Sequence, residues 1–151
     1  MEPIFRNIHK TDPEFAEAHS LCAETIEQFV EFVKNAEEPF YMAKLRFRDP
    51  DLSEEGHDYL FYLWLSEVVY HSEENILSGV FFDVPEGFEK YHHVGKRLGF
   101  DPEDVFDWMV IDSSGNMKGG FTIRVTRSRL ETEEEKTNYD KYIGVRNYEP
   151  I

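Results

Sequence analysis

The spacing of the hydrophobic residues changes at Pro39, and this change constrains the fold more than any other feature of the chain. Before it, apolar residues recur every three or four positions from Phe15 to Ala36, which is the spacing of one face of an amphipathic helix. Thr11 and Glu14 have the spacing of a capping box and predict where this helix begins. After Pro39, apolar and polar residues alternate from Tyr41 to Arg48, which indicates a strand. The chain is therefore predicted to be an α+β protein with a long N-terminal amphipathic helix.

The same patterns predict about five strands in all, followed by a short C-terminal helix. The segment 59–65 is apolar on both faces, so this strand should be covered on both sides. The last two strands are expected to form a hairpin, and Thr132 with Glu135 predicts a capping box at the start of the final helix. Because the connections are short, most strands should pair antiparallel, in a strongly bent sheet or an open barrel. The predicted strands cover residues 41–48, 59–65, 76–82, 105–112 and 121–126.

The length of 151 residues fits a single domain, 1–151. We expect an N-terminal helix in 1–38, a β-rich core in 39–130, and a helix and tail in 131–151. No apolar run approaches the roughly 20 residues that span a bilayer, so the expected location is cytoplasmic, away from membranes. The single cysteine excludes an internal disulfide.

The charge of the chain is strongly negative and uneven. Sixteen Lys and Arg against 31 Asp and Glu give a net charge of −15, and residues 49–75 hold eight acids and no Lys or Arg. This balance disfavours nucleic acids and anionic membranes as partners, because both repel an acidic surface. It favours a basic protein partner, although acidic residues also keep an aromatic-rich domain soluble. The residues expected to bind the partner are Asp49, Asp51, Glu54, Glu55, Asp58, Glu67, Glu73 and Glu74.

A group of cations interrupts this acidity. Lys44, Arg46 and Arg48 alternate with apolar residues, so their side chains should lie on one polar face of the predicted strand. Arg124 occupies the polar face of the predicted strand 121–126 and would join them if the two strands shared a sheet face. Together these cations would bind an anion, an acidic peptide or a substrate carboxylate. The alternative is that acids of the chain itself, in the loop 49–58 or in the helices, neutralise them.

Sequence motifs for catalysis do not occur in the chain. No two of the six His have the spacing that places both imidazoles on one metal ion, and the glycines form no phosphate-binding loop. Asp107 stands beside Trp108, and contact with an indole ring would raise the pKa of a carboxyl group by desolvation. We therefore predict no catalytic residues, no metal site and no cofactor, and favour a protein that is not an enzyme.

Two motifs in the C-terminal half resemble a known family. Asp107-Trp108-Met109, followed by Gly119-Gly120-Phe121-Thr122 and Arg124, is similar to the hallmark of the bacterial YegJ-like domain of unknown function, the DUF2314 family. The resemblance covers roughly residues 40–145 and implies no established activity. It implies structural roles for Trp64, Asp107, Trp108, Gly119, Gly120, Phe121 and Arg124.

Specific contacts are expected among these motif residues. Gly119 and Gly120 would permit close packing over Trp108, and Arg124 would hold Asp107 across the hairpin. Such contacts would fix the register of the two strands.

Two functions remain open at this point. The leading hypothesis is a non-catalytic acidic domain that binds a basic protein. By analogy with other small acidic domains, it would be an immunity or inhibitor protein. The alternative is a small-ligand-binding protein or an enzyme that uses Asp107, Trp108 and Arg124. A homodimer that covers the two-sided apolar strand 59–65 is a further prediction.

Overall fold

A computed structural model describes residues 12–151. The predicted N-terminal helix, α1, spans Pro13–Asn35. Its N-cap is Asp12 and not Thr11, which lies outside the described residues; the Asp12 carboxylate accepts hydrogen bonds from the backbone N–H groups of Glu14 and Phe15. The buried face of α1 follows the predicted spacing and carries Ala18, Cys22, Phe29 and Val33.

The described residues form one open seven-stranded sheet. Its order is β4-β3-β2-β1-β5-β6-β7, and every neighbouring pair is antiparallel except β6 and β7. The strands are β1 Phe40–Arg48, β2 Leu60–His71, β3 Ile76–Phe81, β4 Arg97–Phe100, β5 Val105–Ile111, β6 Asn116–Gly119 and β7 Asn147–Tyr148. The α+β class is confirmed. The predicted count of five strands is wrong, because the segment 121–126 is not a strand and because β4, β6 and β7 have only four, four and two residues, too few to show alternation. The barrel alternative is wrong because the sheet ends at β4 and β7.

The sheet is covered on both faces, and β2 lies near its centre as the two-sided apolar pattern predicts. On the first face α1 packs over a large cluster that includes Leu63, Leu65 and Trp108. On the second face a smaller cluster contains Trp64, and its other buried members are Met109, Ile111, Met117, Ile123, Tyr139 and Val145. Adjacent residues of β2 therefore belong to different clusters, because strand side chains point alternately to the two faces.

The C-terminal part departs most from the prediction. The segment expected to be a strand, 121–126, is instead the start of helix α2, Phe121–Ser128, and the partner of β5 in the hairpin is β6. Gly119 and Gly120 both adopt left-handed backbone conformations, with φ of +72° and +62°, which end the strand. A 3-10 turn covers Pro102–Asp104, and the last helix, α3, spans Glu133–Ile143.

The start of α3 is capped by Thr132, as predicted, although only one of the two hydrogen bonds of a capping box forms. The Thr132 hydroxyl accepts a hydrogen bond from the backbone N–H of Glu135, at 3.1 Å. The helix ends at Gly144, whose φ of +90° is left-handed. Within residues 12–151, no helix is both long and apolar enough to span a membrane.

Candidate functional site

The family motif residues meet at the N-terminus of α2. The N-cap of this helix, Gly120, has no side chain to accept the free backbone N–H groups of the first turn. Asp107 on β5 supplies the missing acceptor: one carboxylate oxygen accepts from the Phe121 N–H at 3.1 Å, and the other from the Thr122 N–H at 2.7 Å. The Thr122 hydroxyl donates to the same carboxylate. A carboxylate here also interacts favourably with the helix dipole.

Lys44 completes a buried polar relay with these two residues. It lies opposite Asp107 in the β1–β5 pairing, and its Nζ donates to the Thr122 hydroxyl at 3.0 Å. The Lys44 ammonium is also 5.6 Å from the Tyr62 ring centroid and 5.7 Å from that of Trp64. The prediction that Lys44 lies on a solvated basic face is wrong, because its residue exposure is only 6%. Alternation predicts the correct face, but Thr122 of α2 and the rings of Tyr62 and Trp64 lie against the ammonium there.

Burial shifts the pKa values of both charged groups. Desolvation lowers the pKa of Lys44 to about 8, against the opposing attraction of the Asp107 charge. Desolvation also raises the pKa of Asp107, while the Lys44 charge and the hydrogen bonds from Thr122 and Phe121 oppose that rise. Each charge thus depends on the other for compensation.

The two motif glycines allow the backbone to turn into α2. A Cβ on Gly119 would lie 2.6 Å from Cε3 of Trp108 and closer still to its carbonyl oxygen. A Cβ on Gly120 would lie 2.6 Å from Sδ of Met117. Gly119 thus packs against Trp108 at a distance that excludes any other residue.

Trp108 joins the hairpin to α1. Its indole N–H donates to the Thr25 hydroxyl at 3.0 Å, and its ring stacks on Phe29 and meets Phe121 edge-on. Both Trp108 and Asp107 are buried. Their contacts give both motif residues a structural role.

The expected bond between Arg124 and Asp107 is wrong. Arg124 donates from Nε to the carbonyl oxygen of Gly119 at 2.9 Å, and from Nη2 to that of Met117 at 3.4 Å. The prediction assumed that Arg124 lay on a strand facing β5. On α2 the side chain instead turns back along β6.

The predicted cation cluster does not assemble, because its members have different surroundings. Arg46 lies over the Phe106 ring, with the guanidinium carbon 5.3 Å from the centroid. Arg48 pairs with Asp58 of the acidic loop at 2.8 Å. With Lys44 buried and Arg124 bound to backbone carbonyls, these cations do not form one anion site.

Some of the acids predicted to bind a partner form contacts within the molecule instead. Asp49 is buried, and its carboxylate accepts from the backbone N–H groups of Asp51 and Leu52 at 2.9 and 3.4 Å. Asp51 pairs with Lys90 and accepts from the Tyr91 hydroxyl. Asp49 is therefore not available to a partner, contrary to the prediction.

The other acids are divided between the two ends of β2. Glu54 and Glu55 are exposed in the loop before β2, whereas Glu73 and Glu74 are exposed in the turn after it. β2 has 12 residues and spans roughly 36 Å at about 3.3 Å per residue, so the loop before it and the turn after it lie at opposite ends of a long strand. Glu67 lies between them at an irregular position of β2, with φ of +50°. A single acidic surface does not result.

A largely apolar cleft lies on the second face of the sheet, beside the end of α3; we call it the α3 cleft. Its volume is about 400 Å³, the size of a site for a small ligand or a few side chains. Trp64 is almost fully buried, whereas Phe82 and Tyr142 are 41% and 47% exposed. The lining residues are Met42, Trp64, Phe82, Asp83, Met109, Ile123, Tyr142 and Ile143.

Strand register explains how the cleft forms. Phe81 pairs with Leu65 on the first face, so the residues next to them, Phe82 and Trp64, come together on the second. The following residue, Asp83, is the only charged side chain among those that line the cleft. Asp83 is partly buried, and its carboxylate has no hydrogen-bond or ion-pair partner in residues 12–151.

Sequence reasoning missed this cleft. Of its lining residues only Trp64 was a predicted site residue, because the others come from separate segments of the chain. The one local signal is Phe82-Asp83, an aromatic and an acid directly after a strand. Elsewhere, the described residues contain no group of three or more His, Cys, Asp or Glu side chains placed to hold a metal ion.

The fold and the cleft define an α+β protein with a mostly antiparallel sheet, covered on both faces, and an apolar cleft lined by a single acid. The family described as "Uncharacterized protein conserved in bacteria (DUF2314)" matches residues 12–146. The chain belongs to this family, as the two motifs predicted. Comparison with curated proteins and with solved structures found no match.

Proposed function

We propose that the chain is a non-catalytic binding domain that recognises a basic protein through the α3 cleft. The observation that carries this proposal is the cleft itself: apolar walls, two exposed aromatic rings at its rim and one carboxylate. Exposed apolar sites with a polar rim are typical of interaction surfaces, where aromatic residues supply much of the binding energy.

The charge of the molecule supports a basic partner. A net charge of −15 attracts cationic proteins over long range and raises the rate of encounter. The eight acids first expected to contact the partner are dispersed, so we assign them to this attraction. Direct contact is assigned to the cleft. An immunity or inhibitor role remains a proposal within this class.

The buried relay favours a structural role for the motif residues over a catalytic or ligand-binding one. Lys44, Thr122 and Asp107 are buried and bond to one another, so a substrate would have to displace α2 to reach them. A structural role accounts for their burial. We therefore do not propose the alternative of a ligand site at Asp107, Trp108 and Arg124.

The test is an NMR titration of the chain with short peptides that differ in charge and aromatic content. Cationic peptides with a large apolar residue should shift the indole N–H signal of Trp64, which lines the cleft. The indole signal of Trp108, which bonds to Thr25 on the opposite face, is an internal control and should stay in place. Peptides that shift only loop 49–58, or none of these signals, would contradict the proposal.

A pair of surface variants tests the same site. We expect Tyr142→Ser to weaken peptide binding about tenfold, since exposed aromatic residues at a binding site often contribute this much. Leu52→Ser is the matched control, because Leu52 is 57% exposed in the loop 49–58. Equal affinities for the two variants would count against the cleft.

A further inference from the structure

Building on the proposed function, we infer that the α3 cleft binds an arginine side chain of the basic partner. In this arrangement the guanidinium pairs with Asp83, and the side chain lies against the exposed rings of Phe82 and Tyr142. The inference names the chemistry that the cleft selects, which the proposed function leaves open.

The first argument is the state of Asp83. No side-chain oxygen of the described residues is buried without a partner, so the partly buried Asp83 carboxylate keeps contact with solvent and is open to a donor or a cation from another molecule. Asp83 has no such partner in residues 12–151. A cation from outside the described fold would compensate it.

The second argument is that many cations of the chain are already engaged. Lys44 bonds to Thr122 and is not among the residues that line the cleft, and its charge is balanced by Asp107. Other cations form ion pairs: Arg48 with Asp58, Lys90 with Asp51, Lys118 with Glu149, Arg127 with Asp140, and Arg129 with Asp12 and Glu14. The chain also has about twice as many acids as bases, 31 against 16.

The third argument is the match between the cleft walls and arginine. Phe82 and Tyr142 provide exposed aromatic surface at the cleft, and a guanidinium stacks on such rings better than an ammonium because it is planar and more weakly hydrated. Met42 and Met109 pair across β1 and β5 and are flexible enough to pack around an aliphatic stem. The apolar walls also strengthen an ion pair by lowering the local dielectric constant.

The probes are blocked tripeptides, acetyl-Leu-X-Leu-amide, in which X is arginine, citrulline, lysine or glutamate. Citrulline has the shape of arginine without its charge. Binding is measured on the full chain by the shift of the Trp64 indole signal. We expect the arginine peptide to bind about fivefold more tightly than the citrulline peptide, and more tightly than the lysine and glutamate peptides.

Two variants locate the effect. Asp83→Asn should bring the arginine and citrulline affinities together, and Glu86→Gln, which changes an exposed acid in the same segment, should leave their ratio unchanged. The Trp108 indole signal and the unfolding midpoint report whether Asp83→Asn keeps the fold. Asp83 has no partner to lose within residues 12–151, so both should be preserved.

The outcomes separate this inference from the proposed function. Equal binding of the arginine and citrulline peptides at Trp64 would overturn the inference and leave the proposed function standing. Equal binding of the lysine peptide would overturn the choice of arginine. If no peptide shifts Trp64, both fail. A Trp64 signal that depends on protein concentration without peptide would show that a second copy fills the cleft, which also overturns the inference.

Discussion

Asp107 lies on strand β5, and its side chain caps the N-terminus of helix α2. It accepts the first backbone N–H groups of α2 because the residue at the N-cap position, Gly120, has no side chain. The same carboxylate compensates the buried Lys44 ammonium through Thr122. One residue thus stabilises a helix terminus and a buried charge, which explains why it stands at the centre of the family motif.

Replacing Asp107 should therefore be costly. We expect Asp107→Asn to lower the free energy of unfolding by about 3 kcal/mol, because it leaves the Lys44 charge buried without compensation. Urea unfolding measures this change, with Asp83→Asn as a control that should cost little. The double variant Lys44→Met, Asp107→Asn should lose less than the sum of the two single changes. Additive losses would contradict the relay.

The relay also predicts how stability depends on pH. Lys44 has a pKa of about 8 in the folded state against 10.5 for the free side chain, so between these values the unfolded chain binds more protons. Stability attributable to Lys44 should rise as the pH increases from 8 to 10.5. The comparison is the unfolding free energy of the wild type minus that of Lys44→Met across this range. A flat difference would show that folding does not lower the pKa of Lys44.

Among the helices and strands, α2 differs most from the structure that its sequence predicts. Its sequence alternates like a strand, with Phe121, Ile123 and Val125 apolar and Thr122 polar between them. As a helix it places Phe121 against Trp108 on the first face and Ile123 in the cluster on the second. The element therefore links the two cores, and its position depends on the two glycines that precede it.

Gly119 should tolerate no side chain. We expect Gly119→Ala to lower the free energy of unfolding by about 3 kcal/mol, because its Cβ would overlap Trp108 and its left-handed φ adds strain. Gly87→Ala is the control: its φ is also positive, at +91°, but a Cβ there meets nothing within 4 Å. That change should cost about 1 kcal/mol, from strain alone. Equal losses in thermal or urea unfolding would contradict the close approach.

At the scale of the whole molecule, the net charge of −15 opposes folding through repulsion among the acids. Several acids are paired inside the chain, yet the excess of negative charge remains. The same excess is proposed to attract the basic partner. Stability and binding should therefore respond to salt in opposite directions.

We expect the thermal unfolding midpoint at neutral pH to rise as sodium chloride increases from about 10 to about 200 mM, because salt screens the repulsion. Binding of cationic peptides should weaken over the same range. Near the isoelectric point of about 4.7 the salt effect on the midpoint should largely disappear, which provides the control. A midpoint that falls with salt at neutral pH would show that the ion pairs outweigh the repulsion.

The elements that could be predicted from the sequence are those whose signals are local. The face of α1, the alternation of β1, the two-sided apolar β2 and the start of α3 at Thr132 depend on residues within a few positions of one another. The family motifs were also readable, because they occupy two short segments.

The tertiary structure decided whatever depends on contacts between distant parts of the chain. The N-terminus of α2 is capped by Asp107, which lies on β5. The alternation of apolar and polar residues in 121–126 predicts a strand instead, because a cap from a distant segment leaves no local pattern. Lys44 is buried because Thr122, Tyr62 and Trp64, from other segments of the chain, lie against its ammonium. The α3 cleft is built from separate segments between Met42 and Ile143. The one local pattern that points to it is Phe82-Asp83, an aromatic residue followed by an acid. Periodicity is a property of neighbours along the chain, whereas caps, buried charges and clefts are properties of neighbours in space.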